Sequence, residues 1–398
     1  MSDPVLAGPS DPDAPAAHPP TARATSSRAR RRAARPVVIA GGGTAGHVLP
    51  GLVVAQALQD AGRSKDQLLY IGATRGIEAR LVPPTGIRSM LLPMRSFPRA
   101  MTPWHLVAVV QLAAAFVRVV ASFVRHRPAA VVSVGGYASV PGVVAAALLR
   151  VPIVAISYDV LPGRASVLAA RFAKATAVAF EASPLPRKVV TGFALRSDIL
   201  AVEPDRDRPA ARAALGLPLD RLVVLVFGGS HGSGALNDVV AAFITANSTR
   251  VDLAIRHVVG MRNAATMLSA RASADGIVYQ PVAYEDDMAR AYAAADVVLA
   301  RSGASTIAEL AAIGVPSILV PWPDAAEDHQ TDNARFLSEV GGAVLVPESE
   351  LDIDRLATEL DHLADPQVRR AMAAAARSRA LRDGAVRIAA LVEECASR

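Results

Sequence analysis

From residue 36 onward the hydrophobic positions fall in short aliphatic runs, each broken by glycine or polar residues and followed by a longer alanine-rich stretch. Val37-Val38-Ile39-Ala40 leads into Gly41-Gly42-Gly43-Thr44-Ala45-Gly46-His47, a helical pattern spans 50–61, and Leu68-Leu69-Tyr70-Ile71-Gly72 ends again on glycine. Further runs at 130–134, 153–156 and 177–179 show no alternation of apolar and polar positions. Strands covered on both faces of a parallel sheet have this pattern. A charged, proline-containing stretch over 200–218 then separates a second series, with candidate strands at 222–227, 257–259, 277–279, 297–300 and 317–320 and a helical tail over 366–395. Each half opens as strand, glycine loop and helix. The chain therefore reads as α/β, with two Rossmann-like domains facing a cleft: 36–198, 199–365 and a helical tail at 366–398.

The stretch 104–124 is apolar enough to suggest a membrane span, but Gln111 and Arg118 lie within it. An arginine near the middle of a span costs at least roughly 2.5–3.5 kcal/mol, whereas an alanine-rich helix covering a sheet explains the same residues without that penalty. Just before it, Arg95, Phe97, Arg99, Met101 and Trp104 mix cations with large apolar groups. This composition suits either a surface resting on anionic headgroups or a loop with its aromatics tucked inward.

Composition narrows the class. Hydrophobic residues at 52% and charged residues at 20% exclude a mainly disordered chain, and the single cysteine, Cys395, excludes an intramolecular disulfide or a cysteine-based metal site. The net charge of +6 permits anionic partners without choosing among them. Much of it sits in residues 1–35, where Arg23, Arg28, Arg30, Arg31, Arg32 and Arg35 lie among Pro, Ala and Ser. That stretch reads as a disordered basic leader without an apolar signal region, which predicts a cytoplasmic protein. A nucleic-acid partner would rest on this leader alone and is not expected.

The glycine loops carry the candidate chemistry. A loop such as 41–47, turning off a strand into a helix, directs N–H groups and a helix N-terminus at an anion. It lacks the Gly-Lys-Ser/Thr of a P-loop, and the next strand ends at Ile71-Gly72-Ala73-Thr74 without the acidic residue of a dinucleotide site. A nicotinamide-dependent oxidoreductase is thereby disfavoured. His47 is placed to take a proton from a hydroxyl or to bond a phosphate. The loop 228–234 offers Ser230 and His231 at the matching place in the second half, and Arg301-Ser302-Gly303-Ala304-Ser305-Thr306 starts a further helix with Glu309 one turn on. A helix N-terminus suits a diphosphate, and a carboxylate one turn further suits the two hydroxyls of a ribose. Gln330 and Asn333, in the polar stretch 321–334, are amides able to read sugar hydroxyls. Asp328, His329 and Asp332 offer a metal grouping there, less simply than a hydroxyl-reading loop.

Taken in order, Gly42-Gly43-Thr44-Ala45-Gly46-His47, Gly135-Gly136-Tyr137-Ala138-Ser139-Val140-Pro141, Gly228-Gly229-Ser230 with Leu236-Asn237, Arg301 to Thr306 with Glu309, and Asp328-His329-Gln330 with Asn333-Ala334 resemble the MurG family of glycosyltransferases. The resemblance runs from about 36 to 390. It implies a GT-B fold and inverting transfer of N-acetylglucosamine from UDP-GlcNAc to lipid I, which forms lipid II for peptidoglycan, with no cofactor or obligatory metal. It also implies a peripheral enzyme on the cytoplasmic face of the membrane. Carried over by motif, Thr44, Ala45 and Gly46 would line the cleft near the diphosphate and His47 would be the base or an acceptor contact. Arg196 and Ser230 would approach the diphosphate and uridine side, and the main chain at Glu285 would meet uracil. Ala304, Ser305, Thr306 and Glu309 would hold diphosphate and ribose, while Gln330 reads the sugar. The acceptor wall departs from the family pattern: Ile156-Ser157-Tyr158-Asp159 stands where the family has His-Glu-Gln-Asn, so Asp159 replaces an asparagine as a substrate contact. Ser166 replaces a further asparagine, and Gly192-Phe193-Ala194-Leu195-Arg196 replaces Gly-Asn-Pro-x-Arg. Two alternatives stay open at this level: a related GT-B enzyme with another acceptor, and a UDP-GlcNAc 2-epimerase.

Overall fold

The computed structural model describes residues 35–94, 104–229, 232–264, 276–325 and 328–397. Residues 1–34 of the leader, Ser230, His231, Arg95, Phe97, Arg99 and Met101 lie outside the described residues.

The first half runs β1 (Val37–Ala40), α1 (Ala45–Asp60), β2 (Leu68–Ala73), α2 (Glu78–Leu81), β3 (Arg88–Leu92), α3 (Trp104–His126), β4 (Ala130–Ser133), α4 (Val140–Leu148), β5 (Ile153–Ser157), α5 (Arg164–Phe172), β6 (Ala175–Val178) and β7 (Lys188–Val190). Its strands are all parallel in the order β3-β2-β1-β4-β5-β6-β7. After α6 (Ser197–Leu200) and α7 (Pro204–Leu215) the second half runs β8 (Leu222–Phe227), α8 (Gly234–Ala246), β9 (Leu253–Val258), β10 (Val278–Val282), α9 (Met288–Ala294), β11 (Val297–Ala300), α10 (Ala304–Ile313), β12 (Ser317–Leu319), α11 (His329–Ser338) and β13 (Val344–Leu345). It forms a second parallel sheet in the order β10-β9-β8-β11-β12-β13. The aliphatic runs are the central strands, and Val37, Ile39, Val132, Val154, Val298 and Leu299 are wholly buried or nearly so. These are the two doubly wound, Rossmann-like domains that the hydrophobic pattern predicts, in the arrangement the family resemblance implies.

The helix expected over 50–61 starts earlier, at Ala45, and takes Pro50 into its body. Proline at this sixth helical position removes the one bond that an N–H would make to the Gly46 carbonyl. After α12 (Ile353–His362), which lies before the expected tail, the tail is α13 (Pro366–Ser378) and α14 (Gly384–Ser397). The last of these returns to the first sheet. Ile388, Ala389, Val392 and Cys395 join the core around Val37 and Tyr70, and the Arg63 guanidinium donates to Glu393 through Nη2 at 2.9 Å. Chain entropy is therefore spent twice on tying the halves together, once through α6 and once through the tail.

Helix α3 is by length and composition able to cross a membrane, yet it packs by one face on the first sheet. Ala115, Val119 and Phe123, spaced by four residues, lie in the core with Val38, Leu69 and Val131. Val110, Val117 and Val124, spaced by seven, face outward at 59%, 64% and 58% exposure.

Candidate active site

In a doubly wound sheet the ligand sits where strand order reverses, at the carboxyl ends of the strands. The reversal falls between β1 and β4 in the first sheet and between β8 and β11 in the second. The loops leaving these strands meet in one cavity of about 440 Å³, lined by Thr44, Ala45, Gly46, His47, Val134, Gly228, Gly229, Arg301, Gly303, Ala304, Ser305 and Thr306. Asp159, Ser166, Arg196, Glu309 and Gln330 complete it. Of the ligand contacts expected from the sequence, Glu285 and Asn333 do not line it, and Ser230 is not described.

On the first side, backbone geometry lets the loops close together. Gly135 and Gly136 have φ of +87° and +74°, and a Cβ on Gly136 would stand 2.1 Å from the Gly42 carbonyl oxygen. At Gly135 a Cβ would sit 2.9 Å from the His47 ring, so the absent side chain makes the imidazole's place. Thr44, at the N-cap of α1, does not cap it with its hydroxyl; Oγ1 lies 2.9 Å from His47 Nδ1 instead. Nε2 has no protein partner among the described residues, and it carries the lone pair in the tautomer whose Nδ1–H donates to Thr44. Burial lowers the imidazole below its ordinary 6.5, while the nearby carboxylates of Asp159 and Glu78 act in the opposite sense.

On the second side, the N-terminal turn of α10 presents Gly303 to Thr306 to the cavity, directing unpaired N–H groups and the positive end of the helix dipole into it. Glu309, one turn on, accepts from the Tyr292 hydroxyl at 2.9 Å on one carboxylate oxygen. Burial pushes the Glu309 carboxyl above the ordinary carboxylate value; the Tyr292 bond and the Arg196 charge oppose that, and Asp198 adds to it. Arg196 also pairs with Asp198 at 3.5 Å. Gln330 accepts from the Trp322 N–H at 3.0 Å through Oε1, which leaves its Nε2 donors without a protein partner among the described residues.

Several residues stand differently from their sequence reading. Asn333 does not read a ligand: it is wholly buried, and its amide donates to the Ser302 carbonyl at 3.2 Å. It lies on the same face of α11 as Gln330 but one turn deeper, among the buried positions Ala334 and Leu337. For Glu285 the expectation concerns the main chain and is not overturned; its side chain is held by Arg256, with Nη2 to Oε2 at 2.6 Å, and accepts from the Asp287 N–H at 3.2 Å. Asp328 accepts from the Thr331 hydroxyl at 2.7 Å and Asp332 pairs with Arg335 at 2.8 Å; among the described residues no three His, Cys, Asp or Glu side chains converge as a metal site.

Sequence reasoning passed over the residues behind the loops. Arg301 is buried and ties several segments together: its guanidinium donates to the Val320 and Pro321 carbonyls at 3.2 and 2.9 Å, to Ser233 Oγ at 2.8 Å, and to Glu348. Tyr292, behind Glu309, and Glu78, behind the first loop, also went unread. Their signal lies in three-dimensional neighbours rather than in spacing along the chain.

Two facing parallel sheets with a nucleotide-sized cavity between their switch points define a two-domain glycosyltransferase. The Glycosyltransferase family 28 N-terminal domain matches residues 37–178 and the Glycosyltransferase family 28 C-terminal domain matches residues 223–388, so the chain belongs to glycosyltransferase family 28. Within it the chain groups with MurG. A protein of Cutibacterium acnes named UDP-N-acetylglucosamine–N-acetylmuramyl-(pentapeptide) pyrophosphoryl-undecaprenol N-acetylglucosamine transferase is 37% identical over 86% of this chain and 92% of its own length. A protein of Desulforudis audaxviator with the same name is 39% identical over 79% and 86%. The crystal structure of Acinetobacter baumannii MurG superimposes with a TM-score of 0.69 at 28% identity, covering 90% of this chain and 99% of that one.

Proposed function

We infer that the chain transfers N-acetylglucosamine from UDP-GlcNAc to lipid I, giving lipid II and UDP. The observation that carries this reading is the meeting of both switch points in one cavity, with the N-terminal turn of α10 on one wall and the His47 imidazole on the other. The donor diphosphate lies against the N-terminus of α10, its ribose hydroxyls on Glu309 and its sugar against the Gln330 amide. The acceptor hydroxyl enters from the first domain, beside His47 and Asp159. Its oxygen attacks C1 of the sugar, the bond from C1 to the diphosphate oxygen breaks, and UDP leaves with the electron pair. Nε2 of His47 takes the hydroxyl proton, while the α10 dipole and Arg196 stabilise the charge arriving on the diphosphate. Asp159 in place of an amide gives the acceptor wall a negative charge, and it supports the base function by favouring the imidazolium.

The lipid acceptor calls for a membrane surface, and the outward valines of α3 with Arg118, Arg125 and Arg127 beside them supply an apolar face rimmed by cations. The protein rests peripherally on the cytoplasmic leaflet through this face, and the adjoining sequence with Arg95, Phe97, Arg99 and Trp104 has the composition to extend it. Purified chain given UDP-GlcNAc should make lipid II from lipid I in anionic vesicles and the matching disaccharide from a short-chain soluble acceptor. V117D/V124D should lower the first rate about tenfold and leave the second unchanged, since removing two partly buried apolar contacts and adding two charges weakens the surface partition by more than about 1.4 kcal/mol. Release of free N-acetylglucosamine without any disaccharide product overturns the transferase reading.

A further inference from the structure

We propose that Glu78 is the positioning residue of the first glycine loop, holding His47 in place through the loop backbone. The proposal rests on reading His47 as the proton acceptor.

Glu78 opens α2, its side chain completely buried. One carboxylate oxygen accepts from the Gly43 N–H at 2.9 Å, the other from the Ala73 N–H at 2.8 Å. The carboxylate thus bridges the loop after β1 to the end of β2. Among the described residues it has no cationic partner in ion-pair contact. Three glycines make its chamber: a Cβ on Gly42, Gly72 or Gly76 would stand 2.1, 2.6 or 2.1 Å from the Glu78 side chain. A buried carboxylate without a cation costs several kcal/mol unless its oxygens are fully engaged, so this arrangement is not a by-product of packing. It also changes the role of the loop. The Gly43 N–H, which the glycine pattern offers to a phosphate, already binds a carboxylate, and that negative charge repels a diphosphate from this wall. The donor diphosphate is thereby sent to α10, and the first loop is left to carry the base. The place is also where dinucleotide-binding folds keep an acidic residue for a ribose; in this chain the acid arrives from the next helix and both its oxygens are spent on backbone.

Several groups lie on the His47 side of the cavity or around it: Thr44 at the N-cap of its own helix, Tyr158, Asp159 and Ser166 from the β5–α5 side, Glu78 from α2, and Arg196, Arg301, Glu309 and His329. The two carboxylates on the His47 side, Glu78 and Asp159, oppose the effect of burial on the imidazole.

The test compares Glu78→Gln, Gly76→Ala and His47→Gln with the wild-type full chain, reading kcat, donor KM and the acidic limb of the pH profile. Glu78→Gln loses the charge and sets an NH2 against a backbone N–H, so kcat should fall about 10- to 100-fold, as for a misplaced reacting group. The acidic limb should move to lower pH, and the donor KM, set on the other domain, should hold. Gly76→Ala pushes the carboxylate aside while keeping its charge, so kcat should fall with a smaller shift of the limb. A wild-type kcat in Gly76→Ala, or a wild-type limb in a Glu78→Gln protein that still binds UDP, overturns the proposal. If Glu78→Gln does not bind UDP, the kcat of Gly76→Ala decides alone. His47→Gln separates the underlying reading: a limb that survives in it refutes His47 as base, and the Gly76→Ala kcat still judges the positioning.

Discussion

Replacing Glu309 with alanine should raise the KM for UDP-GlcNAc about 10- to 100-fold, because a hydrogen bond to a charged group contributes roughly 1.5–3 kcal/mol and the ribose offers this carboxylate two hydroxyls. One of its oxygens is already fixed by Tyr292, so the carboxylate meets the ligand pre-oriented and little rotamer entropy is lost on binding. The environment predicts a pH signature as well. Burial holds the carboxyl above its ordinary range, so the charged form is lost as pH falls at a higher pH than for an exposed glutamate. The wild-type donor KM should therefore rise on mild acidification, and this rise should be absent in Glu309→Ala. Steady-state kinetics across pH checks both; an unchanged donor KM in the variant contradicts the ribose assignment.

His47→Gln should lower kcat about 10²- to 10⁴-fold, the usual contribution of a general base, with little change in donor KM. Glutamine can still bond Thr44 but carries no titratable lone pair. The acidic limb of kcat at saturating donor in the wild type should lie below pH 6.5, because burial lowers the imidazole and the neutral ring is the working form, so turnover is lost only as pH falls through that lowered value. In His47→Gln the limb should vanish. A variant that keeps both rate and limb would move the base elsewhere, with Asp159 the next carboxylate at hand.

How far the sequence could be read follows from where each residue does its work. Val37–Ala40, Leu222–Phe227 and Val297–Ala300 were legible because a central parallel strand is apolar on both faces. Arg88–Leu92, Lys188–Val190 and Val344–Leu345 were not: they are outer strands, short or half-exposed, and their mixed residues carry no such signal. Glycine loops, the α10 start and Glu309 announced themselves by adjacency, since an anion site at a helix N-terminus is built from consecutive residues. Glu78, Tyr292 and Arg301 act across 35, 17 and up to 68 residues of chain, and no local pattern marks a carboxylate whose partners are two backbone N–H groups. Asn333 shares a helix face with Gln330, so spacing alone puts both at the cavity; only its depth, one turn further into the core, separates the two.

The most direct test of the single displacement in this cavity is the anomeric configuration of the sugar transferred to lipid I, read by proton NMR on the disaccharide released from the lipid product. UDP-GlcNAc carries the α linkage, so one attack on C1 by the acceptor hydroxyl, with UDP leaving from the opposite face, predicts a β-linked N-acetylglucosamine. An α-linked product would mean two displacements or a front-side attack, and would contradict His47 as the base and the α10 N-terminus as the seat of the departing diphosphate.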